Sequence, residues 1–314
     1  MNQQIKYSPV VITVYSRLYT FINCIESLKR NSLAQYTDLF VISDAPYVPE
    51  HKLIVEEIRN YARLITGFKN VHLIFRDINM GSHLSGYDGI CQALKENDTF
   101  IFLEDDIVVS DNFLQYMNDG LRFYKDDPRV YSICGFCAPF TIPLNYKNDI
   151  WFSPISSPWG YATWKKKWED VDYSYFDRYN ELKRNKELKQ FLSVGFYIKG
   201  ILQADSKGYI EAGDLRAYYH MFKHNMCSVF PVKSKTQNWG FDGSGEHCGK
   251  KNVWWAKPEL DKYGEYTRFI PFEGYNKPLL NNYRKFQDAI NGGIFAKYLK
   301  YTWIHELYKK LKNQ

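Results

Sequence analysis

The chain has 314 residues, 45% of them hydrophobic and 18% aromatic, enough to bury one large core or a core with an appendage. Its net charge of +6 is mild and no long basic arm occurs, which argues against nucleic-acid binding and leaves anionic substrates or a membrane surface. No apolar run is long enough to cross a bilayer, and Met1 to Lys6 has no apolar signal region, so a cytoplasmic setting with reduced thiols is expected.

Pro9 to Tyr15 is apolar and β-branched and predicts a buried strand. Leu18 to Leu28 places apolar residues at helical spacing. Leu39 to Ser43 predicts a second strand, ending at Asp44. Glu50 to Thr66 carries Leu53, Ile54, Ile58, Tyr61 and Ile65 as an amphipathic helical stripe. Val71 to Arg76 reads as a third strand, Ser82 to Lys95 as a helix and Thr99 to Leu103 as a fourth strand. Asp111 is expected to cap a helix through Tyr124, ahead of a fifth strand at Val130 to Cys134. Strands alternating with helices imply an α/β fold, a mostly parallel central sheet with helices on both faces.

The second half is less regular. Trp151 to Trp168 is rich in aromatics, Ser and Pro, with a basic Lys165-Lys166-Lys167 run. Asp177 to Gly200 reads as one charged helix, Asp214 to His224 as another, and Cys227 to Phe230 as a short strand. Gly240 to Gly249 is a Gly-rich polar loop. Residues 1–255 are expected to form the main domain and 256–314 a C-terminal extension, since Tyr, Lys and Asn dominate from Pro258 onward. Ile294 to Leu311 combines Phe295, Tyr298, Trp303, Ile304 and Leu307 with several lysines, which suits a helix packed on the domain and equally one lying on a membrane. Cys134 and Cys137 have the spacing of a redox or zinc pair, but no second pair follows at zinc-ribbon spacing, which favours buried structural thiols.

The strand Phe100 to Leu103 runs straight into Glu104, Asp105 and Asp106. In an open α/β sheet, ligands bind just outside the carboxyl ends of the strands. Adjacent carboxylates repel unless a cation sits among them, and Mg²⁺ or Mn²⁺ held partly by carboxylate and partly by substrate phosphate meets that demand. The plain alternative is an acidic solvated turn. After the first strand, Tyr15 offers a ring to stack on a base and Arg17 a guanidinium for phosphate; a helix-capping turn would use the same residues. Asp44 stands at the end of the second strand, just ahead of Pro46. Arg76, Asp77 and Asn79 precede Gly81, which permits a tight turn and close backbone approach. In the Gly240 loop, glycines let amides approach phosphate oxygens, beside Asp242, Ser244, Glu246 and His247. Lys233 and Lys235, just upstream, would add positive charge there.

Val14-Tyr15-Ser16-Arg17, Ile42-Ser43-Asp44, Arg76 to Gly81, Leu103 to Asp106, Trp159 to Trp164 and Gly240 to Cys248 occur in an order that resembles bacterial nucleotide-sugar glycosyltransferases of the GT-A fold. The chain looks close to the family 2 transferases and is more distantly similar to N-acetylglucosaminyltransferase I. The resemblance spans about residues 9 to 250. It implies that Asp106 binds the metal and that Glu104 and Asp105 accept hydrogen bonds from ribose or donor-sugar hydroxyls. It implies a uracil N3–H partner in Asp44, and places Tyr15, Arg17, Arg76 and Asn79 beside the nucleotide and sugar. Trp159 would be a sugar platform. His247 would be the remaining metal ligand or a diphosphate partner. The catalytic base would be Asp214, although Gly213 stands where the distant relatives carry a tryptophan; Asp242 and Glu246 are the fallback bases.

The function so implied is metal-dependent transfer of a sugar from a nucleotide diphosphate, UDP foremost, to a hydroxyl of a bacterial surface glycan, with inversion. The Mn²⁺ or Mg²⁺ ion would assist departure of the diphosphate. The expected location is cytoplasmic, peripheral on the inner face of the plasma membrane, with a lipid-linked saccharide as acceptor if the last helix is interfacial. Two other readings compete. A sugar-phosphate nucleotidyltransferase usually carries a Gly-rich basic loop after the first strand, and Tyr15 to Tyr19 contains no glycine. A non-catalytic, membrane-associated glycan-binding protein would have no use for three mutually repelling acids.

Overall fold

The computed structural model describes residues 6–243, 253–261 and 266–291. In chain order the elements are β1 (Val10–Val14), α1 (Leu18–Lys29), β2 (Asp38–Ser43), α2 (Lys52–Arg63), β3 (Asn70–Phe75), α3 (Gly81–Ala93), β4 (Thr99–Glu104), β5 (Ile107–Val109), α4 (Phe113–Phe123) and β6 (Val130–Cys134). There follow β7 (Ile150–Ser153), β8 (Tyr161–Trp164), α5 (Lys165–Glu169), α6 (Arg178–Arg184), α7 (Leu188–Phe191), α8 (Ile198–Asp205), α9 (Gly213–Lys223), β9 (Cys227–Pro231), β10 (Thr236–Asn238) and α10 (Lys277–Ile290).

Eight strands form one mixed sheet in the order β3-β2-β1-β4-β8-β6-β9-β7. β3, β2, β1 and β4 run parallel, β8 is antiparallel to both β4 and β6, and β7 is antiparallel to β9. The mostly parallel α/β sheet expected from the alternation is therefore present. The chain moves outward from β1 to β2 and β3, then returns to place β4 on the other side of β1. That reversal opens a crevice at the carboxyl ends of β1 and β4, the switch point at which such sheets bind ligands. In the β1–β4 register Thr13 pairs with Glu104, so the loops that carry Arg17 and Asp106 leave the sheet side by side.

Successive β1 residues feed two different cores, as strand geometry requires. Val10, Ile12 and Val14 pack with Phe21 and Ile25 of α1, Ile58 of α2 and Met117 of α4. Val11 packs on the opposite face with Ile90 and Ala93 of α3 and Trp168 of α5. Each fully buried Val or Ile side chain stabilises the fold by about 1.5–3 kcal/mol. Gly89 of α3 permits the close approach there: a Cβ at that position would stand 2.5 Å from Ile42 Cγ1.

Three expectations need correction. Asp111 does not cap α4; Asn112 holds the cap position, and Asp111 instead pairs with Arg30 at 3.0 Å. Asp177 to Gly200 is not one helix. It breaks after α6, where Lys186 takes a left-handed φ of 61°, and again before α8. The breaks fold Phe191 and Ile198 back onto Leu182, Leu202 and Tyr218, which makes a separate small core. The aromatic stretch beginning at Trp151 also contains two strands, β7 and β8, whose interior positions are all buried.

Beyond the sheet, Phe269 enters the main core, 5.5 Å from the Tyr116 ring, and Tyr124 donates to Ile270 O at 2.5 Å. α10 is capped by Asn276, whose side chain accepts the Leu279 N–H at 3.0 Å, and it lays Leu279 and Tyr283 on Phe140 and Trp151. Residues 266–291 thus pack against the sheet. The basic aromatic stretch expected at 294–311 lies outside the described residues. Among the described residues no helix is long and apolar enough to cross a membrane. Cys134 and Cys137 are free buried thiols; Cys134 sits among Ser132, Ser156 and Ser157.

Candidate active site

Strand β4 delivers three acids to the crevice in sequence. Asp105 and Asp106 are each 3% exposed. Arg17, in the turn between β1 and α1, bridges them: Nη1 lies 2.6 Å from Asp106 Oδ2, and Nη2 donates to Asp105 Oδ1. Burial pushes the Asp105 carboxyl up to about 7, against the opposing pull of Arg17. Burial likewise raises Asp106, again opposed by Arg17, and Asp242 adds a smaller push upward. Glu104 is raised by burial first and then by the Asp106 and Asp105 charges, with Asp214 contributing.

A second layer holds the cluster from outside the sheet. β5 and β10 form a two-stranded antiparallel ribbon that pairs Ile107 with Asn238. The ribbon carries Trp239 N–H to Asp106 O at 2.8 Å, and Asn238 Oδ1 accepts the Gly240 N–H at 2.8 Å. A Cβ on Gly240 would stand 2.0 Å from Asp106 Oδ2, so any other residue here would have to displace this carboxylate or the loop. Asp242 follows two residues later and its charge is felt at Asp106. Glu246 and His247 lie outside the described residues.

Next to the cluster is a cavity of about 250 Å³. Glu104 and Asp214 line it together, with Thr13, His83, Tyr161 and Tyr173 among the walls. Asp214 lies in the first turn of α9, where its Oδ1 accepts the Leu215 N–H at 2.8 Å. Its surroundings desolvate the carboxyl and raise it above the usual carboxylate range. A wider cleft of about 650 Å³ shares His83, Tyr87, Tyr173 and Glu211 with this cavity and extends to Asp172, Tyr175 and Arg216.

Behind the cleft, buried Asp205 organises the start of α9. It accepts the Ala212 N–H at 3.2 Å and Arg216 Nε at 3.1 Å, and Arg178 Nη1 lies 3.5 Å away. Arg216 also donates to Tyr173 O at 2.5 Å, so one carboxylate fixes both the helix bearing Asp214 and the loop bearing Tyr173.

The remaining residues singled out in the sequence fall into two groups. Around the β2 end, Asp44 is buried and accepts the N–H groups of Ala45, Met80 and Gly81 at 2.8–3.0 Å, which ties β2 to the start of α3. Asn79 donates to Ala45 O at 2.6 Å, and Arg76 pairs with Asp88. Tyr15 OH accepts the Tyr47 N–H at 2.7 Å and shares a hydrogen bond with His51 Nδ1 at 2.6 Å. These side chains shape the crevice mouth through bonds to the protein itself. Trp159 belongs to the second group. It is not among the residues lining the cavity; it stacks on Trp255 at 5.7 Å and meets Phe136 and Phe241 edge-on. Lys235 was expected near the phosphates, but it is 1% exposed and paired with Asp261, a burial that its neighbours Ser234 and Thr236 share.

Sequence reasoning missed His83, Tyr173 and Glu211 as wall residues, and from the Trp159 to Trp164 segment it took Trp159 where Tyr161 lines the cavity. The three come from α3 and the segments before α6 and α9, and no local pattern links them. It also missed Arg59, which donates to Arg76 O at 2.6 Å and to Ser43 O and Asp44 O.

Among the described residues no group of three or more His, Cys, Asp and Glu is arranged to hold a metal. Asp106 nevertheless fits a divalent ion. Its Oδ1 is buried without a hydrogen-bond partner, a costly state for a carboxylate unless a cation meets it. The Gly240 backbone lies close against Oδ2, on the side Arg17 already occupies, so Oδ1 is the oxygen left for an ion. Mg²⁺-type sites are commonly built from one or two carboxylates completed by substrate phosphates.

No family model and no curated protein matches the chain. Solved structures do. A mannosyltransferase from Pyrobaculum calidifontis, in complex with GDP-Man and Mn²⁺, is 11% identical over 52% of this chain and 46% of its own, with a TM-score of 0.36. TarS from S. aureus is 15% identical over 76% of this chain and 37% of its own, with a TM-score of 0.41. Glucosyl-3-phosphoglycerate synthase from Mycobacterium tuberculosis, in complex with Mn²⁺, UDP and glucosyl-3-phosphoglycerate, is 13% identical over 42% of this chain and 44% of its own, with a TM-score of 0.29. The chain spans less than half the length of each of these proteins.

Proposed function

We propose that the chain is a metal-dependent GT-A glycosyltransferase. It moves a sugar from a nucleotide diphosphate, UDP foremost, to a hydroxyl of a bacterial surface glycan, with inversion at the anomeric carbon. The observation that carries this reading is one cavity lined by Glu104 and Asp214, with a buried, unpartnered Asp106 oxygen two residues along the same acidic run. Two carboxylates in distinct environments suit two roles.

In this reading Asp106, together with His247 from the sequence motif, holds Mn²⁺ or Mg²⁺. The ion, when bound, neutralises charge on the departing diphosphate. Arg17 pairs with a phosphoryl oxygen from the neighbouring loop. Glu104 and Asp105 accept hydrogen bonds from donor-sugar and ribose hydroxyls. Asp44, Arg76, Asn79 and Tyr15 form the nucleotide end of the crevice. Asp214 accepts the proton of the acceptor hydroxyl; desolvation raises its carboxyl and so its basicity, which suits a general base. Asp242 and Glu246 are the alternatives for that role. The acceptor saccharide enters through the wider cleft, where Tyr87 and Tyr175 offer ring faces. Residues 294–311 would hold the protein at the inner membrane surface; unchanged liposome flotation after their removal would refute that part.

A thermal-shift panel of nucleotide sugars with and without Mn²⁺ tests the core of the reading, because ligand binding to the folded state raises its stability. UDP-sugars should stabilise the protein in a Mn²⁺-dependent way, and Asp106→Ala should abolish that dependence. No stabilisation by any nucleotide sugar would refute the proposal.

A further inference from the structure

We propose that Arg17 makes the site selective for a metal–nucleotide pair over the bare ion. The inference rests on the glycosyltransferase reading. The guanidinium spans two adjacent buried carboxylates with its two amino groups, a grip that suits its planar fork. Its backbone is held in place, since Arg17 O accepts the Phe21 N–H and the Thr20 hydroxyl, each at 3.1 Å. The Arg17 side chain is 19% exposed and the two carboxylates 4%, so Arg17 is the member of the trio with the most access to solvent.

The free protein therefore already carries a cation on Asp106. Arg17 occupies Oδ2 and leaves Oδ1 buried and without a partner. A divalent ion arriving at Oδ1 would share one anion with a guanidinium in a poorly solvated place, and the two cations repel. The Gly240 backbone lies close against Oδ2 and the Arg17 guanidinium, which crowds that side of the carboxylate. A diphosphate removes the conflict. Its oxygens give both cations the anionic partners they need, and the ion and the diphosphate enter as a nearly neutral pair. By linkage, the factor by which the nucleotide tightens ion binding equals the factor by which the ion tightens nucleotide binding.

The test is a Mn²⁺ titration followed by electron paramagnetic resonance, with and without UDP, on wild type, Arg17→Gln and Arg17→Lys. Wild type should bind Mn²⁺ weakly alone, and UDP should tighten that binding by about tenfold or more. Arg17→Gln should bind bare Mn²⁺ about tenfold more tightly than wild type and lose most of the coupling to UDP. Arg17→Lys, which keeps the charge, should keep most of the coupling. If Arg17→Gln does not fold, the double variant Arg17→Gln/Asp105→Asn has the same net charge as wild type and leaves Asp106 unencumbered; it too should bind bare Mn²⁺ more tightly. A folded variant that binds bare Mn²⁺ no better than wild type, while wild type keeps UDP-dependent Mn²⁺ binding, overturns this inference alone. Wild type that takes up no Mn²⁺ with or without UDP overturns the metal-dependent reading and this inference with it.

Discussion

The backbone of Gly240 lies against the carboxylate of Asp106, so close that a Cβ would stand 2.0 Å from Oδ2 and 2.8 Å from Arg17 Nη1. The contact joins two segments more than a hundred residues apart, and the β5–β10 ribbon enforces it. Gly240→Ala must push the carboxylate or the loop aside. We expect an overpacking cost of about 1–3 kcal/mol and a loss of Mn²⁺-dependent UDP binding of at least about tenfold. Calorimetry of UDP binding with and without Mn²⁺, alongside thermal unfolding, checks both; wild-type binding in a folded Gly240→Ala protein would count against a tight Asp106 site.

Asp214 and Glu104 share a cavity but have different tasks. Asp214→Asn keeps the shape and removes the base. Its kcat should fall by about 10²–10⁴-fold with little change in the KM for donor. Glu104→Gln should instead raise the donor KM, since it weakens a hydrogen-bond acceptor that serves the bound sugar. Steady-state kinetics with a UDP-sugar separate the two, and equal effects on kcat would argue against the division.

Asp205 is a fully buried carboxylate that pairs with both Arg178 and Arg216. Asp205→Ala strands two buried guanidinium groups and frees the α9 start. A destabilisation of about 3–5 kcal/mol is expected, the range for breaking a buried pair from one side. Urea unfolding measures it, and a loss below about 1 kcal/mol would show that the arginines find other partners.

Lys167 gives a pH signature. Its ammonium donates to the carbonyls of Asp127 and Val130 and lies 3.7 Å from the centre of the Trp164 ring. Burial lowers its pKa to about 8, against the opposing pull of Asp127. Between about 8 and the ordinary lysine value of 10.5, the unfolded chain binds the proton more tightly than the folded one. This residue's contribution to stability therefore rises as pH climbs through that window, and is flat on either side. Lys167→Met should remove that rise. Thermal unfolding of both proteins across pH 7 to pH 11 reads the difference, and parallel curves would refute the assignment.

The strands and helices of the first half were legible because their signals are local. Val10 to Val14 and Thr99 to Leu103 are apolar but for one threonine each, and the helices between carry stripes at helical spacing. Glu104, Asp105 and Asp106 were legible as a candidate site for the same reason: a charge cluster at the end of an apolar strand needs no partner to be noticed. The Asp177 to Gly200 helix was misread because its composition suits a helix throughout. What breaks it is the gain from returning Phe191 and Ile198 to a core that also needs Tyr218.

The sequence by itself determined the first-half strands β1 to β4 and β6, which strand ends in acids, and that a guanidinium and a glycine-rich loop stand ready elsewhere in the chain. The tertiary structure alone decided that Arg17 grips Asp105 and Asp106, that Gly240 seals Asp106, and that Asp214 faces Glu104. It also turned Lys235 inward to Asp261 and Trp159 toward Trp255. Periodicity and propensity act over a few residues and can be read along the chain. A contact between distant segments depends on strand order and register, here Thr13 beside Glu104 and Ile107 beside Asn238, and these emerge only when the whole sheet closes on its cores.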